Sequence, residues 1–137
     1  MSESEPIARI LCVEDNRDSR EMISTLLRQS NQGYQVTAVE TAAEALALNG
    51  KGKFDLYILD IWLPGMDGVE LCRRLRERGV TDPIMFFSAM GVQLKDRDYV
   101  LAAGADEFLV KSVDLDRFTE TVERLLGGGT TDSADQL

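Results

Sequence analysis

Short apolar runs in this chain end, one after another, on polar residues able to do chemistry. Residues 11–13 run into Glu14 and Asp15, 56–59 into Asp60, 84–87 into Ser88, and 108–110 into Lys111. Between these runs, apolar residues recur at helical spacing. They are Met22, Ile23, Leu26 and Leu27 within 17–29, then Val69, Leu71, Cys72 and Leu75 before Gly79, then Leu115, Phe118, Val122 and Leu125 after Asp114. Strand and helix signals alternate five times, the pattern of parallel strands joined by crossover helices and hence of an α/β fold.

The pattern predicts strands over 9–13, 35–39, 56–60, 83–87 and 107–110. The third is a continuous apolar run, as expected of a central strand covered on both faces. Asn16 or Asp18 can cap the first helix, and Thr41 with Glu44 forms a capping box for a second helix that runs through Leu48 and ends at Asn49 and Gly50. A loop over 62–68 leads to the third helix. The fourth, over 92–103, carries Lys95, Asp96, Arg97 and Asp98 as a solvated face and ends at Gly104; Asp114 caps the fifth. In an open α/β sheet the ligand site lies just beyond the carboxyl ends of the strands. Glu14, Asp15, Asp60, Ser88 and Lys111 would therefore share one pocket.

At 137 residues the chain fits one domain, expected over 8–126, with an N-terminal extension at 1–7 and a flexible tail or linker stub at 127–137. A formal net charge of -9 argues against direct binding of nucleic acid, whose affinity rests on clustered Lys and Arg. The absence of histidine excludes a Ser/His/Asp triad and leaves site chemistry to carboxylates, hydroxyls and amines. Cys12 and Cys72 are too few for a disulfide framework or a zinc site and read as buried thiols in a reducing compartment. The first ten residues lack an apolar signal core, and no stretch approaches the ~20 apolar residues of a membrane span. A cytoplasmic protein without membrane contact is expected.

Taken singly, each polar residue at a strand end has an ordinary reading as a cap, a loop-entry aspartate or an exposed amine. Together, VEDN at 13–16, LDIWLPGMDG at 59–68, FSA at 87–89 and GADEFLVK at 104–111 resemble the receiver domain of two-component response regulators over residues 8–126. The resemblance implies a flavodoxin-like, doubly wound five-stranded parallel sheet of order 2-1-3-4-5, with Asp15 and Asp60 flanking the crevice between the first and third strands. Three carboxylates there repel one another unless a cation compensates, and an all-oxygen set suits Mg²⁺. Its implied ligands are Glu14, Asp15, Asp60 and the backbone carbonyl of Trp62. Asp60 is then the phosphoacceptor, with Lys111 and Ser88 on the phosphoryl oxygens and with Ser88 and Phe108 as the switch.

The implied function is a response regulator that takes a phosphoryl group from a phosphohistidine on a histidine kinase or a phosphotransfer protein. It would catalyse only its own phosphorylation and dephosphorylation. The surface of the fourth helix, fifth strand and fifth helix would carry the output to a downstream protein, and homodimer formation is left open. Departures from the family pattern bear on mechanism. Phe108 stands in place of a frequent Tyr, and Ser112 replaces the proline usual after the lysine. Proline favours a cis bond there, and the reading for Lys111 to Ser112 leans to cis despite the cost before serine. Trp62 and Met90, bulky and apolar at the positions that by the resemblance flank the path of water, predict slow loss of the phosphate.

Three rival readings are weaker. A receiver fragment of a longer regulator, with an output domain after Gly129, has the same chemistry. A magnesium phosphohydrolase with an aspartyl nucleophile needs a second aspartate two residues on, where this chain has Trp62. A flavodoxin-like cofactor binder gives no reason for three carboxylates facing an amine. The string NGKGK at 49–53 lacks the ending of a phosphate loop and precedes a strand rather than following one.

Overall fold

In the computed structural model, which describes residues 7–30, 33–89 and 94–127, five parallel strands form one sheet of order β2-β1-β3-β4-β5. The strands are β1 (Arg9–Val13), β2 (Gln35–Val39), β3 (Leu56–Leu59), β4 (Ile84–Ser88) and β5 (Glu107–Val110). The helices are α1 (Arg17–Arg28), α2 (Ala42–Asn49), α3 (Gly68–Glu77), α4 (Leu94–Ala102) and α5 (Phe118–Leu125). The doubly wound α/β architecture and its strand order are those implied by the motifs.

Side chains alternate across the sheet with the period of two that strand geometry imposes, and both faces are apolar because helices cover both. Leu11, Val13, Tyr57, Leu59, Ile84, Phe86 and Phe108 pack beneath α2, α3 and α4, whose Ala42, Ala45, Leu71, Cys72, Leu75 and Val100 complete that layer. Ile10, Cys12, Leu56, Ile58, Met85, Phe87 and Leu109 face α1 and α5 through Ile23, Leu27, Phe118 and Val122. Cys12 and Cys72 are buried and unpaired. Burial pushes the Cys12 thiol up to about 12 and the Cys72 thiol up to about 11.

Several local expectations meet their structural counterparts. Asn16 caps α1 by accepting from Ser19 N at 2.9 Å. The Thr41 and Glu44 capping box is complete in α2. Asp67 caps α3.

Others are corrected. Asp114 makes no side-chain cap bond to the backbone of the helical turn that follows it. Its carboxylate accepts instead from Val110 N at 2.8 Å, and a single 3-10 turn (Leu115–Arg117) precedes α5. That turn rotates Leu115 off the apolar stripe, leaving it 42% exposed while Phe118 and Val122 are buried. The Lys111 to Ser112 bond is trans, since no cis peptide bond occurs among the described residues. Val113 N and Asp114 N both bond to Val110 O, and this turn reaches Asp114 without the roughly 3 to 4 kcal/mol that a cis bond before serine costs. β3 stops one residue short of Asp60, and β4 includes Ser88. In the fourth helix, Val92 and the side chains of Lys95 and Asp96 lie outside the described residues; Arg97 is half-buried and Asp98 exposed.

Candidate functional site

Register brings the polar residues together. Val13 pairs with Leu59 across β1 and β3, so Glu14 and Asp60 leave the sheet side by side. Asp60 N donates to Val13 O at 3.0 Å, prolonging that ladder by one bond. Ser88 pairs with Val110 across β4 and β5, and Lys111 N donates to Ser88 O at 2.7 Å. Residues separated by up to 97 positions thus meet at the carboxyl edge of three central strands and one edge strand.

Ser88, fully buried, donates its hydroxyl to Asp60 Oδ1 at 2.8 Å. The Lys111 ammonium is bonded to Glu14 Oε1 and stands 3.9 Å from Asp60 Oδ2. Glu14 Oε2 accepts from Asn16 N at 3.0 Å, so both of its oxygens are engaged. Glu14 is 2% exposed and Asp60 7%, whereas Asp15 faces solvent. Burial raises the Glu14 carboxyl above its ordinary range; the bonds from Lys111 and Asn16 oppose that rise without cancelling it, and the charge on Asp60 adds to it. One carboxylate oxygen from each of Glu14, Asp15 and Asp60 lies within 4.8 Å of the others. That spacing and an all-oxygen donor set fit a small hard cation.

The loop after β3 owes its course to two glycines. Gly65 adopts φ +77°, the left-handed region that glycine enters freely. Gly68 N donates to Ile61 O at 2.9 Å, and a Cβ on Gly68 would sit 1.9 Å from the Asp60 carbonyl oxygen. The helix start therefore packs directly on the backbone of Asp60. Trp62, in this loop, is 64% exposed. Phe108 is buried beneath α4, with the Arg97 guanidinium 5.7 Å from its ring centre. Met90 lies outside the described residues. The NGKGK string sits at the end of α2 and before β3, on the amino edge of the sheet, and does not join the carboxylates.

Sequence reasoning missed Arg20, whose Nη1 donates to the carbonyls of both Glu14 and Asp15 at 3.0 Å. Its spacing from those residues, five and six positions, gives no signal of that bond in the sequence.

Among the described residues, no helix is long and apolar enough to cross a membrane. Comparison with known proteins agrees with the geometry. The family model for the response regulator receiver domain matches residues 10–123. The transcriptional regulatory protein PcoR of Escherichia coli is 36% identical over 117 residues, which are 85% of this chain and 49% of PcoR. The response regulator MprA of Mycobacterium leprae is 35% identical over 126 residues, 92% of this chain and 54% of MprA. The chain thus spans about half the length of the curated relatives it matches. Among solved structures, the response regulator TrrA of Thermotoga maritima, in complex with Mg²⁺-BeF, superposes with a TM-score of 0.75 at 33% identity, covering 87% of this chain and 99% of TrrA. The chemotaxis protein CheY4 of Vibrio cholerae superposes with a TM-score of 0.79 at 29% identity, covering 88% of this chain and 99% of CheY4. With its sheet order, its acidic crevice and this match over most of its length, the chain belongs to the receiver domain family of two-component response regulators.

Proposed function

We propose that this receiver accepts a phosphoryl group on Asp60 from a phosphohistidine of a partner kinase or phosphotransfer protein. One observation carries the reading: Asp60, Ser88, Lys111, Glu14 and Asp15 converge at one end of the sheet, with an oxygen cluster beside a hydroxyl and an amine. Phosphoryl transfer needs a nucleophile in line and positive charge on the equatorial oxygens, with little covalent help from the protein. An Asp60 carboxylate oxygen would form the new P–O bond as the donor's P–N bond breaks and its electron pair leaves with the imidazole. The chain has no histidine, so the donor is a separate molecule or a part not included in these residues.

Glu14, Asp15 and Asp60 would hold Mg²⁺, with the Trp62 carbonyl as a further oxygen ligand. When bound, Mg²⁺ supplies charge to offset that of the phosphoryl oxygens. Lys111 would add a second cation, and the Ser88 hydroxyl would exchange its bond to Asp60 for one to a phosphoryl oxygen. Phe108, three residues before Lys111 and packed under Arg97, would pass that change to α4 and the neighbouring surface, the face proposed to meet the downstream partner in the cytoplasm.

Intact mass after incubation with Mg²⁺ and a small phosphodonor tests the reading. One added phosphoryl group in the wild type and none in Asp60→Asn is expected; phosphate at wild-type yield in the variant would overturn it. A second reading rests on length. The matched relatives are about twice as long as the matched segment, so the same chemistry can serve as the input half of a longer regulator, which a longer native protein in cell extracts would favour.

A further inference from the structure

Arg20 stands in the first half of α1 with its side chain only 19% exposed. Its Nη1 donates to Glu14 O and to Asp15 O, both at 3.0 Å, and its Nη2 lies 3.7 Å from Glu40 Oε2 in the β2 to α2 connection. One guanidinium therefore ties together the acidic turn, α1 and the loop after the edge strand. The two carbonyls it bridges belong to the peptide planes on either side of Asp15. Those planes set the direction of the Glu14 and Asp15 Cα–Cβ bonds, and with them the separation of the carboxylates. The rest of the turn is pinned as well: Glu14 N donates to Val39 O at 3.0 Å, and Asn16 N donates to Glu14 Oε2.

Charge alone gives this arginine the wrong sign. A permanent cation beside three carboxylates repels a divalent cation, and its hydrogen bonds among the described residues go to carbonyls of the turn, not to the three carboxylates. We infer that Arg20 is a positioning residue for the cation site, holding the 14–15 backbone so that Glu14 and Asp15 present their oxygens to the same ion as Asp60. This role rests on the proposed cation site. It belongs to the outer partners that orient metal ligands, whose loss typically weakens binding by 10- to 100-fold.

Arg20→Lys and Arg20→Met separate geometry from charge, because the lysine ammonium keeps the charge but ends one bond short of the Nη1 position. Mg²⁺ titration is read by calorimetry and by the emission of Trp62, the single tryptophan, which is exposed two residues beyond Asp60. Thermal unfolding without metal runs alongside. Both variants are expected to bind Mg²⁺ about tenfold more weakly while folded. Unchanged affinity in both, or tighter binding in Arg20→Met with no change in Arg20→Lys, overturns the role and leaves only folding or repulsion. If Arg20→Met does not fold, Arg20→Lys decides by the same criterion. Absence of a saturable response in the wild type would overturn the cation site itself, and this role with it.

Discussion

Lys111 rests on Glu14, not on Asp60: its ammonium is bonded to Glu14 Oε1, and Asp60 Oδ2 is 3.9 Å away. Removing the amine by Lys111→Met leaves a nearly buried carboxylate facing a second one. The metal-free protein should lose about 1 to 3 kcal/mol at neutral pH, the usual cost of stranding a buried acceptor. Mg²⁺ should restore part of that loss, since a bound cation replaces the missing charge. Chemical denaturation with and without Mg²⁺ measures both effects; a variant as stable as the wild type would show that the pair contributes nothing net.

Glu14 gives the metal-free protein a characteristic pH dependence. Its folded-state value lies above its unfolded one because of burial, so folding takes up a proton in the window between them. Stability from this group is therefore gained as pH falls through that window and lost as pH rises through it. Other carboxylates obscure the effect in the wild type alone. The difference in stability between wild type and Glu14→Gln, measured in chelator, should favour the wild type increasingly on acidification from neutral pH. A flat difference would contradict it. Mg²⁺ affinity should fall over the same window, as the proton competes for Glu14.

Gly68→Ala should damage the site through the backbone. The added methyl would meet the Asp60 carbonyl at 1.9 Å and the Phe86 ring at 3.0 Å, both in packed surroundings. Overpacking of this kind costs about 1 to 3 kcal/mol, and relief requires Asp60 to move. A lowered unfolding midpoint together with reduced phosphorylation is expected. Wild-type values for both would show that the loop yields freely.

Trp62→Asn should shorten the lifetime of the phosphorylated protein several-fold. The indole N–H can donate but the ring has no acceptor, whereas an amide does both and can orient an attacking water. Decay of the phosphorylated mass after removal of the donor provides the measurement. An unchanged lifetime would show that Trp62 does not control the water.

The alternation of apolar and polar residues determined the parallel α/β sheet, because strand and helix periods are local properties of the chain. It also determined where β1, β2 and β5 begin and end, and the caps at Asn16 and Thr41, each of which depends on residues within a few positions. The run-ending residues marked the candidate site for a similar reason: in a parallel sheet every strand ends at the same edge, so order along the chain already implies meeting in space.

What stayed hidden depends on contacts between distant segments. The turn 110–114 could close with a trans bond after Lys111 only because Val110 O accepts from both Val113 and Asp114. Asp114 read as a helix cap, yet its carboxylate found Val110 N instead, and the tight turn that follows turned Leu115 outward. The preference of Lys111 for Glu14, the closeness of Gly68 to Asp60 and the grip of Arg20 on the acidic turn are likewise tertiary. Each is fixed by how helices and loops settle on the sheet, where a fraction of an ångström decides which partner a side chain reaches, and no local pattern encodes that distance.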